Sequence, residues 1–243
     1  MSDYKEIKSS FAKVYGSAGD ALIVIGIIKA FWPLLIISFI LGYSLRAIIK
    51  TPSHSISEVG IILVSTAIIC SFLLLRGHQR LKNYLKGAKG EEWVSNELSF
   101  LSSEYSIFNG IRLEGNNNNL DHIVIGPTGI YIIETKNWTG SVDFSPRGLL
   151  IDNKFIKISP ISQIKAQEDV LINFLNQKNC GQISVKSILC FLGSDLEKPI
   201  TNINGVIVCK GDELLNVIMD ELNNKISNEI RFEAENVIKK FLV

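Results

Sequence analysis

Two long apolar runs in the first third of the chain restrict its folding more than any other feature. The first extends from Ala21 to Leu45 and is broken only by Lys29; the second is free of charge from Val59 to Leu75. Crossing the hydrocarbon core of a bilayer takes roughly 20 apolar residues in a helix. The first run meets that length, and the second is slightly short and suits a thin region of bilayer. Neither run has the polar face that a helix packed on a soluble core would show. The pattern therefore predicts a two-helix transmembrane hairpin over residues 21–76. A mean hydropathy of +0.24, with hydrophobic residues at 47% and charged residues at 20%, agrees with a chain that is only partly soluble. The first run is too long for a cleaved signal peptide, lacks a small-residue cleavage site and is followed by a second span. Lys29 either marks the membrane interface, with the span starting near Ala30, or lies within the span and reaches back to the headgroups.

Lysine and arginine set the expected orientation. Lys5, Lys8 and Lys13 precede the hairpin, Arg46 and Lys50 occupy its connection, and Arg76, Arg80, Lys82, Lys86 and Lys89 follow it. The heavier positive charge lies on the two outer flanks. This predicts an integral protein of the inner (cytoplasmic) membrane, with both termini on the cytoplasmic side. On this reading residues 1–20 are a cytoplasmic tail and residues 77–86 a basic linker. The linker is read first as a positive anchor continuing as helix out of the bilayer; the same charges could hold anionic lipid or steer nucleic acid. Gly26 and Gly42 would permit close helix contacts, so a homo-oligomer is possible. A channel or transporter would need polar residues lining several spans, and these two helices offer almost none.

From residue 87 to 243 the pattern becomes that of a soluble α/β domain. The stretch GEEWVSNELSFL places Val94, Leu98 and Leu101 at helical spacing. YSIFNGIRL reads as a strand, and the asparagines at 116–119 as low-complexity loop. LDHIVIGPTGIYIIETK reads as a hairpin turning at Pro127. Ile123, Ile125, Ile130 and Ile132 share one face of it, and Val124, Tyr131 and Ile133 the other. A hairpin apolar on both faces belongs in the middle layer of an α/β domain. A short strand pair around GLLIDNKFIKI follows, then a helix over residues 161–177. SVKSILCFL and NGVIVCK are further strands, and DELLNVIMDEL and NEIRFEAENVIKKFL are closing helices. Cys70, Cys180, Cys190 and Cys209 contain no C-x-x-C pair and read as buried thiols in a reducing compartment. The three histidines are too scattered to form a metal cluster.

The chemistry of the domain gathers where this hairpin opens. If Gly126 and Gly129 close the turn, Asp121 falls directly opposite Glu134, and Lys136 shares the face of Glu134. Like charges facing each other across a strand pair are destabilising, and carboxylates at the mouth of an apolar sheet are costly to ionise. A divalent cation between them removes both penalties, and two carboxylates with a backbone carbonyl suit Mg²⁺ or Mn²⁺. Glu91 precedes Val94 and Leu98 on the inward face of the first helix. It is either a third acid of the same site or a stabiliser of the helix terminus.

These residues resemble a family. GAKGEEWV, LDHIVIGPTGIYIIETKNWTG and SPISQ, in that order, are similar to the nuclease-related domain (NERD), a branch of the PD-(D/E)XK nuclease superfamily. The most specific piece combines an acid-led strand, a Gly-Pro turn, the Glu-x-Lys ending and the Trp138-x-Gly140 that follows. Leu120 stands where the superfamily name would put proline. The resemblance implies an α/β fold of the restriction-endonuclease type: a central mixed sheet flanked by helices, here preceded by the hairpin. It implies that Asp121, Glu134 and the carbonyl of Thr135 ligate Mg²⁺ or Mn²⁺, with Glu91 supporting the ion or its water. Lys136 would position water or stabilise the phosphate. Gln163 would contact phosphate or order the site, with Gln167 as the local competitor for that role. The expected function is a membrane-anchored nuclease hydrolysing the phosphodiester bonds of nucleic acid, DNA ahead of RNA. The alternative is a catalytically silent module recruiting nucleic acid or protein to the membrane.

Overall fold

The computed structural model describes residues 11–50, 55–113, 119–145, 148–181, 183–220 and 226–242. The expected asparagine loop falls largely, and the lysines of the first ten residues entirely, outside them. The chain divides into two compact units. One is residues 20–88; the other joins residues 1–19 to residues 89–243.

The first unit is a pair of helices, α1 (Asp20–Lys50) and the greater part of α2 (Ile56–Leu98). Both are long and apolar enough to cross a membrane, and their apolar stretches are almost wholly unburied within the protein. Leu35, Phe39 and Leu75 are each more than 70% exposed, which a helix of a soluble core would not tolerate. The helices run antiparallel and meet closely at small residues. Gly77 lies against the carbonyl of Ala30, Gly26 against Tyr84, and Gly87 against Leu22. The ammonium of Lys29 sits 5.7 Å from the centre of the Tyr84 ring. Lys29 is therefore level with the basic stretch of α2, beyond the charge-free run that ends at Leu75. Pro33 lies inside α1 and has no N–H for the carbonyl of Lys29. The expected linker at 77–86 has no break: α2 continues through it into the domain.

The second unit is built on a nine-stranded mixed sheet. Its strands are β1 (Lys13–Tyr15), β2 (Ser106–Ile111), β3 (Leu120–Gly126), β4 (Gly129–Ser145), β5 (Gly148–Ile151), β6 (Lys154–Phe155), β7 (Val185–Leu196), β8 (Ile200–Ile203) and β9 (Val206–Lys210). The order is β1-β2-β3-β4-β7-β9-β8, with β5 and β6 branching from β4. β2, β3 and β4 are antiparallel neighbours, whereas β4, β7 and β9 are parallel. The hairpin has the expected register, with His122 opposite Ile133 and Gly126 opposite Gly129.

Burial on both faces of the hairpin accounts for the layers around it. Ile123, Ile125, Ile130 and Ile132 enter a core closed by α3 (Pro160–Gln177) and α5 (Asn228–Lys239). Val124, Tyr131 and Ile133 enter a second core closed by the end of α2 and by α4 (Leu214–Met219). Ser159 caps α3, accepting a hydrogen bond from the N–H of Ser162, and Pro160 begins its first turn. Lys13–Tyr15, expected in a free tail, instead pairs with β2 as an edge strand. The short strand β8 has little hydrophobic pattern and was not expected from the sequence.

The hairpin turn is fixed by aromatic residues. The Thr128 hydroxyl donates to the carbonyl of Ile218 at 2.7 Å and lies 3.1 Å from the Tyr105 hydroxyl, while Tyr131 donates to the carbonyl of Thr128. The Tyr105 ring covers Gly126 so closely that a methyl group there would overlap it. Gly126→Ala should therefore displace Tyr105 and lower stability by about 1–3 kcal/mol, measured by chemical denaturation of the full-length protein in detergent.

Candidate active site

The polar end of the β3–β4 hairpin is an interruption in an otherwise apolar pattern. β4 is buried on both faces through Ile133, and its next alternation delivers Glu134 and Lys136 to the face covered by α3. Asp121, at the start of β3, lies on the same face two residues before Ile123. Its Oδ2 accepts a hydrogen bond from the backbone N–H of Thr135 at 2.9 Å, joining the two strands beyond their last apolar pair.

Glu134 is buried and saturated by side-chain donors. Its Oε1 accepts from Lys136 Nζ, and from Gln163 Nε2 at 2.6 Å; its Oε2 accepts from Gln167 Nε2 at 2.9 Å. The Gln163 carbonyl oxygen in turn accepts from Lys136 Nζ at 3.3 Å. The two glutamines are one turn apart on α3, so a single helix face reaches both carboxylate oxygens. Gln163 and Gln167 thus both bond Glu134. Lys136 remains partly accessible and lies 6.0 Å from the centre of the Trp138 ring.

Glu91 approaches from α2, the helix covering the opposite core. Its Oε2 accepts the backbone N–H of Gly19 at 3.0 Å. Burial raises the Glu91 pKa from 4.5 to about 7; the Gly19 bond opposes the rise, and the charge of Glu134 adds to it. Asp121 is also pushed well upward, first by burial and then by the charges of Glu134 and Glu91. Three acids therefore share one electrostatic environment with a single lysine. Gly19 had no sequence signal, because its role depends on the N-terminal segment folding back onto the domain.

Behind Asp121, on the other face of β3, lies a buried polar chain that the sequence did not reveal. Asn109 donates to Ser95 Oγ at 2.7 Å, and its Oδ1 lies 2.8 Å from His122 Nδ1. With the Asn109 amide committed to Ser95, His122 Nδ1 is assigned as the donor. Burial lowers the His122 pKa to about 3, so the ring is neutral. It lies on the face of β3 opposite Asp121.

The donor set fits a hard divalent cation. Asp121, Glu134 and the Thr135 carbonyl are oxygen donors, and a cation would favour the ionised form of the acid whose proton burial holds tightly. Among the described residues no three His, Cys, Asp or Glu side chains close around one point. Any ion would be held in an open shell completed by carbonyl and water, as suits Mg²⁺. It would also have to replace a present donor to Glu134, and Lys136 is the most accessible of these.

Residues 86–192 match the family model of the nuclease-related domain, a segment that carries Glu91, Asp121, Glu134, Thr135, Lys136, Gln163 and Gln167. This segment, less than half of the chain, is therefore similar to the nuclease-related domain, and the mixed sheet flanked by helices agrees with the fold that the resemblance implies. No curated protein matches the chain, and no solved structure does.

The acids give the metal-free protein a defined pH dependence. Glu91 binds its proton more tightly in the fold than in the unfolded chain, so its contribution to stability is full below pH 4.5 and is lost as pH rises through about 7. Denaturation in EDTA should show stability falling across that window, with a smaller fall in Glu91→Gln. An unchanged slope in the variant would remove Glu91 from this account.

Proposed function

We propose that this chain is a membrane-anchored, metal-dependent nuclease that hydrolyses phosphodiester bonds of nucleic acid, with DNA ahead of RNA as substrate. The observation that carries the reading is the convergence of Asp121, Glu134, Lys136 and Gln163 where the apolar pattern of the hairpin ends. Burying so many charges disfavours folding unless they serve a ligand.

In this reading Asp121, Glu134 and the Thr135 carbonyl hold Mg²⁺ or Mn²⁺. The ion, when bound, supplies a Lewis acid for the phosphate and makes water more acidic. Lys136 turns its ammonium from Glu134 toward the phosphate, where it offsets the charge that grows in the transition state. Gln163, bonded to both Glu134 and Lys136, keeps the two aligned and offers an amide to phosphate or water. Gln167 fixes the other oxygen of Glu134. Glu91, titrating near neutrality, can take up or release a proton at the edge of the site.

The two apolar helices would hold the domain at the cytoplasmic face of the inner membrane, with both termini on that side as the flanking positive charge directs. Tethering would restrict the enzyme to nucleic acid that comes near the bilayer. Recruitment without catalysis is a second reading, favoured by one feature: Glu134 already has its hydrogen-bonding capacity met by Lys136, Gln163 and Gln167.

Cleavage of DNA and RNA by the full-length protein in detergent, with Mg²⁺, Mn²⁺ or EDTA, separates these readings. The full chain is needed because residues 11–19 supply β1 and the N–H bonded to Glu91. Metal-dependent cleavage that falls about a hundredfold or more in both Asp121→Ala and Lys136→Ala is the expected result. Folded protein that cleaves neither nucleic acid under any metal condition would leave the recruitment reading.

A further inference from the structure

A cavity of about 420 Å³ lies at the carboxyl end of β9, beside the middle of β4 and the second half of β7, next to the acid site but on the other side of β4. Its size is within the range of small-ligand pockets, about 300–1,000 Å³. The β4–β7 register shifts between Asn137 and Gly140, and Ser194 Oγ bridges the irregularity by donating to the carbonyl of Trp138 at 3.0 Å. Gly211 completes the cavity. A side chain there would meet the Trp93 ring at 2.7 Å and also overlap Leu192, so the glycine lets the indole lie against the backbone.

The lining is that of a site for an anionic, flat ligand. Trp93 is 41% exposed, a large aromatic surface left open at the mouth of the cavity. Lys89 and Lys210 supply positive charge, Asn137 and Ser194 polar edges, and Asp212 an acceptor at the rim. The cavity and the acid site share their backbone supports. Lys89 and Trp93 flank Glu91 on α2, and Asn137 directly follows Lys136 on β4. Gly90 lies against the Asn137 side chain, which locks these two supports together.

We propose that this cavity is a nucleotide subsite, in which Trp93 stacks a base and Lys89 and Lys210 hold an adjoining phosphate. Aromatic stacking with lysines along the backbone is how single strands are held without reading their sequence. The inference rests on nucleic acid being the substrate, and it adds the class of substrate: a strand with an unpaired base beside the phosphate at the acid site. A base inside a duplex has both faces covered by its stacked neighbours and would have to leave the stack to lie on Trp93.

Binding in EDTA tests the subsite apart from cleavage. Full-length protein in detergent would be titrated into a short, fluorescently labelled single-stranded oligodeoxynucleotide and followed by anisotropy. Trp93→Leu and Lys210→Gln should each weaken binding about tenfold, and a duplex of the same sequence should bind less tightly than the single strand. Lys210 is partly exposed, so its variant decides the matter should Trp93→Leu fail to fold. Wild-type affinity in a folded Lys210→Gln variant, or competition by polyglutamate as effective as by unlabelled oligonucleotide, would overturn the subsite. So would a wild-type protein that binds no oligonucleotide. Weakened binding in the variants of a protein that never cleaves would keep the subsite and remove the hydrolysis. Unchanged binding in the variants of a protein that does cleave would do the reverse.

Discussion

β4 is buried on both faces for its first half, and the rest of the domain is arranged to meet that demand. Gly129 through Ile133 puts apolar side chains alternately into two cores, so helices must cover both sides of the sheet. α3 and α5 close one core, and α2 and α4 the other. The strand then continues past the end of its apolar segment, where the same alternation turns an acid and a lysine toward α3. The site is thus the place where a deeply buried strand changes character while remaining between two strand neighbours.

The same geometry explains the tuning of the acids. Neighbouring strands, the α3 glutamines and the N-terminal segment all withdraw water from a small volume holding Asp121, Glu134 and Glu91. Lys136 balances part of that charge, and Glu91 and Asp121 respond by holding their protons more tightly. A divalent ion would reverse that response. Across β4, the same run of residues leads into the cavity of Trp93 and Lys210, so the acid site and the proposed subsite share supports on α2 and β4.

Much of this was legible in the sequence because it depends on short-range pattern. The two-residue alternation of the hairpin gave its faces, and the Gly-Pro turn gave a register that put Asp121 across from Glu134. The apolar runs gave the paired helices. Gln163 followed from the resemblance to the nuclease-related domain, while the sharing of Glu134 with Gln167 needed the helix placed against the strand. Long-range contacts were not legible. Lys13–Tyr15 joins the sheet through β2, far along the chain, and Gly19 meets Glu91 only after that pairing. The helical continuation of the apolar stretch through residues 77–86 was legible as well. The pairing of Lys29 with Tyr84, by contrast, became visible only with the two helices together.

Binding of Mn²⁺ tests the central claim, that the buried acids at the start of β3 and beyond the apolar segment of β4 form a metal site. Calorimetric titration of the full-length protein in detergent would compare wild type with Asp121→Asn and Glu134→Gln, each checked for folding. The account predicts one dominant Mn²⁺ site in the wild type that weakens severely in both variants and is competed by Mg²⁺. Folded wild-type protein that binds no Mn²⁺, or binds it equally well in both variants, would contradict it.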